Sequence, residues 1–210
     1  MEAVDSSYWC KICGITSGQE ASAVVGLGAD SIGLNFYKKS PRFVTNDRAA
    51  EIAFYAKNCL KVALFVDPTV EEVETVLKAV DIDALQFHGE ESEEFCEGFG
   101  TQYIKAIRVG GDLDYGKLED YHPKAWAILI DSYVKGLPGG TGETFDWKNW
   151  PAGLDRKLIL SGGLTTENIL DGIRATKPFG VDVSSGVEGK EKGVKDLRLV
   201  ENFIKEVRIA

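Results

Sequence analysis

Eight short apolar runs, each followed by a polar stretch, constrain this chain more than any other feature. The runs are YWCKIC, DSIGLNFY, LKVALFV, DALQFH, YIKAIRV, AWAILID, KLILSG and FGVDVSS. Runs of this length between turn signals suit strands buried on both faces, as in a parallel sheet. Most of the stretches between them read as helices. TVEEVETVLKAV sets Val70, Val73, Val76, Leu77 and Val80 on one helical face. TTENILDGIRAT opens with a threonine N-cap and a Glu in its first turn. KDLRLVENFIKEV puts Leu197, Val200, Phe203, Ile204 and Val207 on one face, while FDWKNWPAG leaves room for only a short sixth helix. Eight such units in 210 residues predict an α/β fold, a single (β/α)8 barrel of the TIM type over 1–210 with a short N-terminal extension at about 1–7. A doubly wound open sheet is the alternative. The Gly-rich VKGLPGGTGETF after the sixth run reads as an active-site loop rather than a linker.

The formal net charge of -9 argues against a nucleic-acid partner, which normally meets a basic surface. It leaves an anionic small molecule open, because the field inside a pocket is local. No run approaches the roughly 18 apolar residues of a membrane span. MEAVDSSYW has neither a basic nor an apolar leader segment, so the expected location is the cytoplasm.

Cys10 and Cys13 form a C-x-x-C spacing, shared by redox centres and half of many zinc sites. In a strand, residues three apart point to opposite faces, so the two cannot jointly chelate a metal or close a disulfide. A redox pair also usually sits at a helix N-terminus. Here Gly14 follows, and no second Cys pair or His cluster completes a metal site. Cys10, Cys59 and Cys96 are read as buried packing. Cys13 differs because it ends the first strand.

A barrel builds its chemistry at the C-terminal ends of its strands. Those ends carry Cys13, Arg42 in the loop after strand two, Asp67, His88, Arg108, Asp131, a Ser-Gly-Gly turn, and Asp182 followed by Ser-Ser-Gly. Each has an ordinary explanation: Asp67 as a turn cap, His88 as a partner of a backbone carbonyl, Arg42 and Arg108 as solvated groups. Their collection on one rim is what points to a site. Gly162–Gly163 and Ser184–Ser185–Gly186 each stand between a strand and the segment that follows. Exposed backbone N–H groups there suit a phosphate, and these are the loops that hold one in many barrels.

The motifs KICGIT, GLNFYKKSPRFV, LQFHG, ILIDS, GGTGETFDW, LSGGLTTENI and GVDVSSGVE, in this order, resemble those of the phosphoribosylanthranilate isomerase family. The resemblance runs from Lys11 to the final helix. Glu143, where family members often carry Lys, and Asn35, at a commonly apolar position, depart from it. It implies an Amadori rearrangement in tryptophan biosynthesis, acting on a phosphosugar and needing no cofactor and no metal. It also implies Cys13 as general base and Asp131 as general acid. Arg42 is then expected on the anthranilate carboxylate, across the mouth from the phosphate. Asp182 is expected near the sugar hydroxyls. Gly162, Gly163, Ser184, Ser185 and Gly186 are expected around the phosphate, with His88 and Arg108 on the same rim. Two other readings stand beside this one. A related phosphosugar isomerase would use two aspartates, and indoleglycerol-phosphate synthase would use lysine and glutamate. A non-catalytic phosphate-binding barrel has no need of an acid–base pair.

Overall fold

The computed structural model describes residues 8–109, 118–132, 147, 150–151 and 153–210. Eight parallel strands close into one barrel in chain order. They are β1 Trp9–Cys13, β2 Ser31–Asn35, β3 Leu60–Phe65, β4 Ala84–Phe87, β5 Tyr103–Val109, β6 Ala127–Ser132, β7 Leu158–Ser161 and β8 Gly180–Val183. All eight expected strands are present, and closure excludes the open sheet. The seam pairs the first strand with the last, Lys11 opposite Asp182. The expected N-terminal extension at 1–7, the Gly-rich segment 134–145 with Glu143, and most of FDWKNWPAG lie outside the described residues.

Six α-helices wrap the described part of the sheet: α1 Gly18–Gly26, α2 Asn46–Tyr55, α3 Val70–Ala79, α4 Glu93–Glu97, α5 Ile169–Thr176 and α6 Leu197–Ile209. Ser17, Thr45, Thr69, Ser92 and Asp196 cap α1, α2, α3, α4 and α6, each accepting from a backbone N–H of the first turn. The start of α5 differs from the expected one. Thr165 does accept from Glu167 N at 3.2 Å, and its own N–H donates to Asn168 Oδ1 at 2.8 Å. That pair organises a turn, and the regular helix begins only at Ile169. Two residues expected on buried faces are exposed, Val70 at 52% and Leu197 at 43%. Each opens its helix, where the side chain tilts back past the covered turns. Of the rest of both faces, Leu77 is half-buried, while Val73, Val76 and Val80, then Val200, Phe203, Ile204 and Val207, are buried.

Strand alternation divides the core into two layers. Cys10, Ile12, Ile32, Leu34, Ala63, Phe65, Leu85, Phe87, Ile128, Ile130 and Leu160 belong to the layer between sheet and helices. Val62, Ala84, Ile104, Ala106, Ala127, Leu129 and Ile159 fill the barrel interior. The N-terminal end is floored by Trp9 against Trp126, ring centres 5.6 Å apart, and by Phe179 on Trp126 at 5.4 Å. With that end filled by aromatic rings, the polar groups collect at the other end. Among the described residues no helix is long and apolar enough to cross a membrane.

Candidate active site

The same alternation decides which groups share the mouth. In β1, Cys10 and Ile12 pack outward, so Lys11 and Cys13 point inward. The C-x-x-C pair is therefore split between two layers. Cys10 is fully buried in the outer core, where burial pushes its thiol far above the usual range.

Cys13 lies beside two cations and one anion. Lys11 Nζ, fully buried, is 3.0 Å from Asp182 Oδ1, and its charge acts on Cys13. A β-carbon on Gly33 of β2 would stand 2.6 Å from Cys13 Sγ and 3.0 Å from Lys11 Nζ. Glycine is needed there so that the thiol and the ammonium can occupy that space. Burial raises the Cys13 thiol, Lys11 and Lys195 pull it down, Asp182 pushes it up, and the balance leaves it above its ordinary value. Burial opposes the Lys11 charge, but Asp182 and Cys13 outweigh it and hold the ammonium firmly protonated.

Asp131 lies one residue before the end of β6 on the inward face, with Arg108 of β5 as its register partner. Burial raises its carboxyl, the Asp182 charge raises it further and Arg108 opposes both, leaving it at about 6. His88 follows β4 and meets Gln86 Nε2 through its Nε2 at 2.5 Å. Burial first, then Lys11, Lys105 and Arg108, push it down to about 3, so its ring is neutral near pH 7. Its partner is thus a side-chain amide rather than the expected backbone carbonyl. Asp67 takes up a left-handed backbone with φ 47 and accepts from Glu90 N at 2.7 Å. Beneath it, Lys105 Nζ bonds Glu91 Oε2 at 3.0 Å and Gly89 O at 2.6 Å, while Glu91 Oε1 accepts from Asp67 N and Gly89 N. Asp67 is therefore a tie between the loops after β3 and β4. Asn35, the departure in β2, accepts from Tyr37 N at 2.9 Å and shapes the start of the Arg42 loop.

Arg42 is not a solvated group, nor is it across the mouth from the loop after β8. Its Nε and Nη2 bond Glu188 Oε1 and Oε2 at 2.5 and 2.9 Å, which joins the loop after β2 to the segment after β8. Lys195 Nζ completes the cluster, 3.1 Å from Glu188 Oε1 and 3.1 Å from Ser184 O. Burial works against the Glu188 charge, yet Arg42 and Lys195 hold its carboxyl below the usual range.

The two Gly-rich turns meet. Gly162 and Gly163 have φ of 83° and 62°, a region glycine enters without strain. The short 3-10 helix Ser185–Val187 follows Ser184, whose hydroxyl donates to Cys13 O at 3.0 Å. A β-carbon on Gly186 would collide with the carbonyl oxygen of Leu164. Gly186→Ala should therefore force one loop away from the other. The expected cost is about 1–3 kcal/mol, as for other overpacked sites, read as a lower Tm. An unchanged Tm would show that the loops are not in contact.

The barrel gathers Cys13, Asp131, Asp182, Arg42, His88, Arg108 and the glycine turns at one end, the end where the sequence reading placed them. That reading missed Lys11, Gly33, Glu188 and Lys195. Lys11 carried a readable signal, being a lysine two residues from Cys13 and so on the same face of a buried strand.

The family description N-(5'phosphoribosyl)anthranilate (PRA) isomerase matches residues 10–206. The chain belongs to this family. The PRA isomerase of Pseudomonas fluorescens strain Pf0-1 is 48% identical over 204 residues, covering 97% of this chain and 100% of that one. That of Azotobacter vinelandii strain DJ is 49% identical over 203 residues, covering 95% and 97%. Among solved structures, phosphoribosyl anthranilate isomerase from Thermotoga maritima superposes with a TM-score of 0.87 at 36% identity, covering 97% of this chain and 100% of that one. Another crystal structure holds a phosphoribosyl anthranilate isomerase in complex with reduced 1-(o-carboxyphenylamino)-1-deoxyribulose 5-phosphate. It superposes with a TM-score of 0.81 at 34% identity, with the same coverage of 97% and 100%. As a PRA isomerase family member the chain is an enzyme, of the isomerase class.

Proposed function

We propose that this chain, as one barrel domain over 1–210, converts N-(5-phosphoribosyl)anthranilate to 1-(2-carboxyphenylamino)-1-deoxyribulose 5-phosphate in tryptophan biosynthesis. Asp131 is the general acid and Cys13 the general base. Asp131 gives its proton to the furanose ring oxygen, the C1′–O bond breaks, and the nitrogen lone pair forms the protonated Schiff base. The Cys13 thiolate then takes the C2′ proton, and those electrons neutralise the iminium as the enolamine. Tautomerisation of the enolamine gives the ketone. No step calls for a metal or a redox cofactor. The phosphate is assigned to the backbone of Gly162–Gly163 and Ser184–Gly186, and the carboxylate to Arg42. Arg42 keeps N–H groups on Nη1 and Nη2 that Glu188 does not use, and a charge-assisted contact to a carboxylate suits a guanidinium. Asp182 stands nearest the sugar, and His88 and Arg108 line the rim beside the acid.

The observation that carries this reading is the position of Asp131. A free aspartic acid is ionised near pH 7 and a poor proton donor. This one is half-buried at the mouth beside a second carboxylate, and loss of solvent together with that charge leaves it at about 6, within reach of the working pH.

The pH profile tests the assignment with its sign fixed. The active form needs Asp131 protonated and Cys13 ionised together. Below about 6 the first condition holds, and the thiolate fraction falls tenfold per unit as pH drops. Between Asp131 and the raised Cys13, gain of thiolate cancels loss of acid, and the rate is flat. Above the Cys13 range only the loss of acid remains. The profile of kcat/KM on freshly prepared phosphoribosylanthranilate should therefore rise to about pH 6, hold level, and fall beyond the ordinary thiol range. Absence of turnover by the purified full chain would sink the reading; a rate that falls steadily from pH 5 would remove Asp131 as acid.

A further inference from the structure

We propose that the buried Lys11–Asp182 ion pair sets the fraction of the enzyme in which Cys13 is a thiolate while Asp131 still holds its proton. This rests on the acid–base assignment above and concerns what makes that assignment workable. Base and acid are held in the less populated arrangement, because a buried thiol resists ionisation more than a buried carboxyl does. The working fraction falls tenfold for each unit that separates the two groups.

The geometry divides one ion pair between the two. Lys11 sits on β1, two residues before Cys13 and on the same inward face, and bonds Asp182 at 3.0 Å. Gly33 on the neighbouring strand leaves the room that keeps Nζ and Sγ together. Asp182 sits on β8, opposite Lys11 across the seam, and its charge also reaches Asp131. The groups facing Cys13 are Lys11 from β1, Asp182 from β8 and Lys195 from the segment before α6. Those facing Asp131 are Asp182 and Arg108 of β5. Lys11 favours the thiolate, and Asp182 favours the protonated acid. Both effects narrow the separation. A lysine alone would favour the thiolate but would be an unpaired charge in the barrel. An aspartate alone would keep Asp131 protonated but would repel the thiolate. The pair does both while leaving almost no net charge in the interior.

Lys11 and Asp182 are thus positioning residues for the base and the acid, and the test reads ionisation rather than activity alone. Two profiles are measured: kcat/KM against pH, and the pH dependence of Cys13 alkylation by iodoacetamide, with Cys13→Ala as background. In Lys11→Met the alkylation profile and the alkaline limb should move upward together. The level region should fall about tenfold per unit moved, while the acid limb stays in place. In Asp182→Asn the acid limb should move to lower pH. Because Lys11→Met strands a buried carboxylate, the double variant Lys11→Met/Asp182→Asn is compared with Asp182→Asn. Its alkaline limb should lie higher. Coincident alkaline limbs and alkylation profiles in that comparison, or an acid limb unmoved in Asp182→Asn, would overturn the proposal. Its failure is separable from that of the assignment. Near-native turnover by Cys13→Ala removes the base itself, whereas an inactive Cys13→Ala with unmoved limbs removes only the tuning.

Discussion

Cys13→Ala is expected to lower kcat by about 10²–10⁴-fold, and Asp131→Asn by a similar factor, the usual range for a general acid or base. The loss should fall on kcat more than KM, since neither group is the main handle for the two anionic ends of the substrate. Folding should survive both changes. Cys13 is small and sits against Gly33, so its truncation leaves little empty volume. Asp131→Asn removes a carboxylate whose charge is opposed by burial and by Asp182, so stability should hold or improve. The two losses should not multiply in Cys13→Ala/Asp131→Asn, because both groups serve one reaction path. Cys10→Ala is the control. It sits three residues away but in the outer core layer, so it should lower Tm without changing kcat. A kcat loss at Cys10 in a folded protein would revive the paired-thiol reading. Near-native turnover by Cys13→Ala would discard the base.

Arg42→Ala should raise KM about 10–100-fold, as expected for a lost hydrogen bond to a charged group of about 1.5–3 kcal/mol. The structure adds a second consequence. Arg42 bridges the loop after β2 to Glu188, itself almost fully buried, so its removal leaves Glu188 with Lys195 as partner. Glu188→Gln is the informative companion, because it keeps the guanidinium and removes the charge that holds it. KM should then change less than in Arg42→Ala. Inhibition by inorganic phosphate should be nearly unaltered in Arg42→Ala, since the phosphate is assigned to the glycine turns. Wild-type KM in Arg42→Ala would remove it from the carboxylate subsite. Equal weakening of phosphate would mean that the two anionic ends are not held separately.

The barrel was legible because its signal repeats. Each buried parallel strand is an apolar run, and eight of them in order leave few ways to close the sheet. The rim was legible for the same reason, since polar residues at strand ends stand out against the runs before them. What escaped were partners chosen by closure. Glu188 meets Arg42 across 146 residues of chain, and nothing local in either segment announces the other. The expectation that Arg42 lies across the mouth failed on that point. Adjacency around a barrel is cyclic, and the loop after β2 is only two strands from the loop after β8. Lys11 was within reach. Alternation was applied to separate Cys10 from Cys13 but not carried to the lysine between them. A lysine wholly inside a parallel strand is rare unless paired. Helix starts show the remaining limit. The chain favours Thr165 as a cap, but whether a capped turn continues as regular helix is settled by packing.

The seam between the first and last strands has a consequence for how this protein is made. Lys11 leaves the ribosome 171 residues before its counter-ion, an interval of about 10–30 s at ordinary rates of translation. Until Asp182 emerges, the lysine that ends up inside the barrel has no anion to meet there and must stay in water. The first strand also lacks one of its two neighbours. A nascent chain can therefore build most of the sheet from adjacent units but cannot seal it. Closure of the barrel waits for β8, and translation products that stop before it carry Cys13 on a strand with no last strand to pair and should lack activity.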